Sequence, residues 1–199
     1  MLDFNRIKLC KLFLFAMLLA IGMASCDDGN STYYDPNSAA QEYQQIFEGM
    51  KGEYVGNYTT PLSNSVSLKY NIDSKANVNL SSFPMDNVLY KMCGGDYQYA
   101  KLSGDALSIS CQIDSVGYSS GYMTFKTKND LEHNVLNFTY TFQNVEHRGM
   151  IYVTVLGVYN PQARLITTNF VVTDLIVDGK DLTSAFCPIN NMVEAVRQP

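Results

Sequence analysis

The sequence contains no tryptophan, only two histidines and no cluster of Lys and Arg. Without a basic stripe nothing is available to neutralise a row of phosphates, which argues against nucleic acid as a partner. Two histidines and five cysteines with no C-x-x-C spacing leave a metal site short of ligands, and they leave Ser–His chemistry without a well-placed base. No apolar stretch reaches the roughly 20 residues that a bilayer-spanning helix needs. Internal repeats and low-complexity tracts are absent too. With 46% hydrophobic and 17% charged residues, what remains is an ordinary globular composition.

The N-terminus carries the clearest pattern. Arg6, Lys8 and Lys11 precede an apolar run from Leu12 to Ile21, and Met23-Ala24-Ser25-Cys26 then places small residues before a cysteine. This is the layout of a secretory signal, and its end resembles a bacterial lipobox, with Met23 where leucine is more usual. The reading is a lipoprotein signal peptide over residues 1–25 and lipidation at Cys26. Acyl chains contribute about 0.8 kcal/mol per buried methylene, so several of them anchor a protein durably. Cleavage would remove three basic residues and one acidic, making the mature chain more acidic than the formal −5 of the whole. Residues 26–36, polar and without apolar period, read as a lipidated flexible tether.

From Asn37 to Met50, Ala40, Tyr43, Phe47 and Met50 recur at helical spacing, which predicts an amphipathic helix ending near Gly49 and Gly52. Beyond it the period falls to two. Val66, Leu68, Tyr70 and Ile72 alternate with polar residues, as do Leu107, Ile109, Cys111 and Ile113, and likewise Leu136, Phe138, Tyr140 and Phe142. The stretches 150–159 and 165–177 are apolar on both parities and β-branched, which predicts central strands covered on both sides. Turn-rich links at 73–75, 103–105, 116–121, 146–149, 160–162 and 178–179 suit antiparallel neighbours. Ser82-Phe83-Pro84 followed by Met85, Val88, Leu89 and Met92 predicts a short inserted helix, with Pro84 in its first turn and Gly94-Gly95 at its end.

The expected fold is therefore mainly β: a single antiparallel sandwich or lipocalin-like barrel over residues 37–187, with an N-terminal helix, the short inserted helix, and residues 188–199 as a C-terminal tail. The lipobox followed by Asp27 and Asp28, the Gly52-Glu53-Tyr54-Val55-Gly56-Asn57-Tyr58 opening strand and the Phe83-Pro84 step resemble small Bacteroidetes surface lipoproteins of uncharacterised function. The Gly-x-Tyr opening is also similar to lipocalin-like, or calycin-like, barrels. That resemblance implies an outer-membrane, surface-exposed domain and brings no catalytic residues with it. In enterobacteria, Asp27 beside the cysteine would instead imply retention at the inner membrane.

Residues able to carry chemistry are few. With Cys10 in the signal and Cys26 lipidated, Cys93, Cys111 and Cys187 remain; Cys111 reads as a core thiol, and Cys93 with Cys111 is the candidate disulfide. His133 and His147, each preceded by a glutamate, flank one strand at its opposite ends and read as loop residues, so no metal is expected. Asp174 interrupts an apolar strand and is the one carboxylate whose burial would raise its pKa. Tyr97, Tyr99, Tyr118 and Tyr122 lie around two loops and suit ligand contact, since tyrosine joins an apolar face to a hydroxyl. Ser115, in Asp114-Ser115-Val116, matches a short motif that resembles the O-glycosylation signal of Bacteroidetes. The functional expectation is a non-enzymatic ligand-binding or structural module, without cofactor, attached to the membrane by its lipid, with a small molecule, glycan or protein as ligand. The alternative is a carbohydrate-active accessory enzyme of the cell surface that uses carboxylates such as Asp174.

Overall fold

A computed structural model describes residues 36–199 except 64, 104–106 and 130–133, with backbone alone at 36–40, 42, 43 and 119. The residues read above as signal peptide, Cys26, the expected tether up to Asp35 and His133 lie outside the described residues, and Pro36, read as the end of the tether, begins a helix instead. Helix α1 (Pro36–Met50) precedes strands β1 (Gly52–Tyr58), β2 (Val66–Ile72) and β3 (Asn77–Leu80). Helix α2 (Asp86–Cys93), a 3₁₀ turn (Gly94–Tyr99) and the short strand β4 (Lys101–Ser103) follow. Next come β5 (Ile109–Ser119), β6 (Tyr122–Thr127), β7 (Val135–Phe142), β8 (Val145–Asn160) and β9 (Leu165–Val177). The chain ends with β10 (Lys180–Asp181), α3 (Thr183–Phe186) and β11 (Ile189–Arg197).

Strands β1, β2, β3, β5, β6, β8, β9 and β11 pair in that order, all antiparallel, and β11 returns to β1, which closes an eight-stranded barrel. The barrel alternative therefore holds and the sandwich does not. Two boundaries need correction. Residues 188–199 are no tail, because β11 bridges β1 and β9 and completes the closure. Residues 146–149 are no turn but part of β8; the chain reverses instead at Gln143 and Asn144, whose φ of 51° and 64° lie in the left-handed region. A third, smaller shift concerns α2, which begins at Asp86 rather than at Pro84.

Strand β8 serves two partners along one edge, pairing with β7 up to Tyr152 and with β6 from Leu156 onward. Its first half thus leaves the barrel wall and carries β7 and β4 as an extension. Such a fork orphans backbone donors, which cost free energy if buried without partners. Here the Val155 amide donates to Thr127 Oγ1 at 2.9 Å and the Val153 amide to the Asn134 carbonyl at 2.9 Å. On the opposite edge, Thr173 forms a bulge where β9 passes Tyr152 and Val153.

An eight-stranded barrel is just wide enough for side chains to fill or for one small ligand to occupy. In this protein side chains fill it. The rings of Tyr54 and Tyr70 stack at 5.3 Å, Tyr159 meets Tyr54 edge-on at 6.2 Å, and Phe170 meets Tyr70 edge-on at 5.4 Å. All four side chains are buried, together with Val78, Cys111, Val153, Val155, Val172 and Val193. The outer residues of β8 and β9 behave differently from the expected double cover. Tyr152, Leu156, Val158 and Val171 are half-buried on the outside of the wall, because β8 and β9 are neighbours in a barrel and not strands inside a layered stack.

Both barrel ends are stoppered. At the end where β1 begins, α1 buries Ile46, Phe47 and Met50, while Tyr54 Oη donates to the Met50 carbonyl and Arg197 Nη1 to the Gly49 carbonyl at 3.1 Å. At the end where β1 finishes, α2 buries Val88 and Leu89.

Candidate functional site

The α2 end carries one of the open recesses among the described residues. Pro84 lacks an amide hydrogen and keeps the chain from continuing as helix or ladder, and the Phe83 amide is held by the Leu107 carbonyl at 2.8 Å. The chain then crosses the barrel mouth, and the first turn of α2 is tied down by side chains. Tyr58 Oη donates to Asp86 Oδ2 at 2.6 Å. Asn87 Nδ2 donates to the Thr59 carbonyl at 3.3 Å and to Asn191 Oδ1 at 2.9 Å, and Asn191 Nδ2, inside the barrel, donates to the Phe170 carbonyl at 3.1 Å.

Beside this latch lies an open cleft of about 530 Å³, within the span usual for small-molecule sites, about 300–1,000 Å³. Its apolar lining comprises Val66, Leu68, Phe83, Met85 and Leu89, together with Leu102 of β4 and Leu107 just before β5. Its polar members include Tyr58, Asp86 and, toward solvent, Lys69. Burial holds the Tyr58 hydroxyl well above the usual phenol range, and its bond to Asp86 pushes the same way. Tyr58 is thus a committed donor and Asp86 a carboxylate with one oxygen engaged. Leu102 is 43% exposed, which leaves its side chain available at the rim.

A second polar group gathers where β7, β8 and the β9–β10 turn meet. His147 Nδ1 lies 2.7 Å from Asp178 Oδ2, and Asp178 Oδ1 accepts from the Arg148 amide at 2.9 Å. The His147 bond, then the Arg148 amide, hold the Asp178 carboxyl below its ordinary range. The imidazole stacks on Tyr140 with centroids 4.9 Å apart, and burial, followed by Cys93 and Asp178 nearby, pushes Tyr140 up to about 12. His147 is therefore a strand residue bound to a turn, a correction that follows directly from the displaced 146–149 turn.

The other residues singled out above are dispersed. Tyr97 is buried and packs edge-on against Tyr90 at 5.7 Å, whereas Tyr99 is exposed. Tyr118 and Tyr122 are exposed on the β5–β6 hairpin at the opposite end of the barrel, so the four tyrosines form no common surface. Ser115 is exposed on β5 beside a bulge. Cys93, Cys111 and Cys187 are all free thiols, and the expected Cys93–Cys111 bond is not made: Cys111 points into the barrel, while Cys93 ends α2. Asp174 is half-buried next to the bulge and accepts from Thr173 Oγ1 at 2.8 Å. Burial raises the Cys187 thiol, and Asp174 and Asp181 add to this.

Tyr58, Asp86, Asn87, Asn191 and the two leucines were not legible as a site. One signal pointed toward them, the Phe83-Pro84 step into a helix inside a β region. No protein-family model matches the chain, and neither a curated protein nor a solved structure matches it.

Proposed function

We propose that the chain is a lipid-anchored protein of the cell envelope, attached to the outer membrane through acylated Cys26, whose barrel is a non-enzymatic ligand-binding module facing outward. One observation carries the binding part of this reading. The barrel interior is occupied by its own aromatic side chains, while the α2 end keeps a largely apolar cleft with a Tyr58–Asp86 pair at its edge. Mostly apolar walls with a few fixed polar groups are the common make-up of small-molecule sites. Recognition then belongs to the mouth and not to a lipocalin-style lumen. The anchoring part rests on the lipobox-like Met23–Cys26 and the acidic pair after it.

Two experiments test the two parts. Metabolic labelling with an alkyne fatty acid should tag the wild type and not Cys26→Ser, and protease added to intact cells should remove the domain; labelling of Cys26→Ser, or full protection, overturns the anchored outward display. Amide chemical-shift mapping with a library of small apolar fragments should cluster at residues 83–89, 102 and 107. Shifts confined to other surfaces overturn the cleft as the ligand site.

A further inference from the structure

We infer that the cleft beside α2 selects a small apolar molecule carrying a protonated amine, its ammonium directed at Asp86 and its apolar body laid against Leu102, Leu107 and Phe83. The inference rests on the ligand-binding reading above and names the chemistry of the same site.

The charge of Asp86 is the deciding feature. Among the described residues the carboxylate accepts one hydrogen bond, from Tyr58 Oη to Oδ2 at 2.6 Å, and it makes no ion pair, those present being at Lys51, His147 and Arg148. An ionised carboxylate offers about four acceptor positions, so Oδ1 is left to water or to a ligand. The first-turn amides of α2 offset part of the charge, since a helix N-terminus carries roughly half a positive charge. That partial charge stabilises Asp86 in the free protein without saturating it.

An occupant of the cleft displaces the water that solvates Oδ1, and the nature of its polar group then decides affinity. A neutral apolar molecule leaves Oδ1 desolvated and unpaired, which costs free energy. An anion is repelled. An ammonium supplies up to three N–H donors and the opposite charge. Lys69 is the other charged side chain of the lining and is exposed on the outer face of β2, which sets it on the solvent side of the cleft. It disfavours a second cationic group at the outer end of a ligand and thereby favours monoamines with apolar tails.

The test uses the full chain purified in detergent and three probes of similar shape: phenethylamine, 3-phenylpropan-1-ol and 3-phenylpropanoate. By titration calorimetry the amine should bind saturably about tenfold tighter than the alcohol, equal to about 1.4 kcal/mol, and the carboxylate weakest. Asp86→Asn should bring the amine to within about twofold of the alcohol, and Leu102→Lys, at the exposed rim, should weaken both. In the unsubstituted protein, raising the salt to about 1 M should weaken the amine and leave the alcohol unchanged, which keeps the idea testable if Asp86→Asn does not fold. A carboxylate probe as tight as the amine, or a salt-insensitive amine, overturns the charge selection. If the alcohol still binds and Leu102→Lys still blocks it, the cleft survives as a neutral apolar site. No saturable binding of any probe overturns both readings.

Discussion

A Cβ built on Gly157 would stand 2.0 Å from Cε1 of Phe125. The two residues are direct cross-strand partners on β6 and β8, so the ring lies across the glycine and occupies the space that a side chain there would need. The same arrangement recurs in the extension, where Phe138 covers Gly149 and a Cβ would meet its ring at 2.1 Å. Neither ring can retreat easily, since both are buried. Gly157→Ala and Gly149→Ala are each expected to lose about 1–3 kcal/mol through overpacking, read from urea midpoints. Adding Phe125→Leu should restore part of the Gly157→Ala loss, and an unchanged midpoint for the single variant would show that the ring is not wedged as described.

Tyr70 Oη and Thr168 Oγ1 lie 2.7 Å apart inside the barrel, 98 residues apart in sequence. Both are buried, and burial raises the Tyr70 hydroxyl far above the phenol range, with the Thr168 bond acting in the opposite direction. Tyr70→Phe orphans the threonine hydroxyl and Thr168→Val orphans the phenol, each at about 1–3 kcal/mol. The double variant removes both polar groups together. Its loss should fall below the sum of the singles by about 1 kcal/mol or more, and strict additivity would sink the claim that the pair acts as a unit.

At the fork of β8, Thr127 performs a backbone's task with its side chain, accepting the Val155 amide. Thr127→Val keeps the shape and removes that acceptor, leaving a buried amide unpaired at about 1–3 kcal/mol. Hydrogen exchange should locate the effect: protection at Val155 should drop more than at Val153, whose amide is held by Asn134. Equal losses at both positions would mean that the fork opens as one body, against the assignment to Thr127.

Much of this fold was legible because one face of each strand is buried, against the barrel interior in the wall strands and against the hydrophobic core in the β7 extension. Val66 to Ile72 and Leu136 to Phe142 keep strict alternation, and both are strands with the expected faces inward. Strand β11 hid itself because a polar residue, Asn191, takes a core position between Ile189 and Val193 and interrupts the period. Residues 146–149 looked like a turn for their charges and glycine. They are strand because Gly149 is needed under Phe138, while Gln143 and Asn144 make the reversal. The mouth cleft was illegible for another reason: Tyr58, Asp86 and Asn191 are brought together only by the placing of α2 across the barrel end, a matter of tertiary packing that no local period encodes.

Asp178 provides a pH dependence with a definite sign. Its carboxyl is held low by His147 and by the Arg148 amide. A carboxylate with a depressed folded pKa contributes stability that is present above its unfolded value, about 4, and is lost as pH falls through the folded one. Thermal midpoints should therefore decline below about pH 4 in the wild type, and Asp178→Asn should flatten part of that decline while lowering the midpoint at neutral pH. The carboxyl is exposed, so the effect is a modest one. A slope unaltered by Asp178→Asn would detach the turn from this titration.

The three described thiols should differ in reactivity in an order set by burial. Only the thiolate attacks an alkylating reagent, and Cys111, fully buried on the inner face of β5, is pushed up to about 12. Cys93 and Cys187 are half-buried, and burial raises them as well. With iodoacetamide at about pH 8, Cys93 and Cys187 should label slowly, whereas Cys111 should stay unmodified until the barrel opens. Peptide mass spectrometry distinguishes them, and in urea all three should label alike. Because Cys111 sits on the central packed face beside Val78, its cross-strand partner, its labelling rate in dilute urea measures opening of the barrel wall itself. Gly157→Ala, Thr127→Val and Tyr70→Phe should each accelerate it in proportion to the stability they remove, provided opening is fast relative to labelling. If Cys111 labels in the native protein as fast as Cys93, the barrel is not the closed and filled structure described.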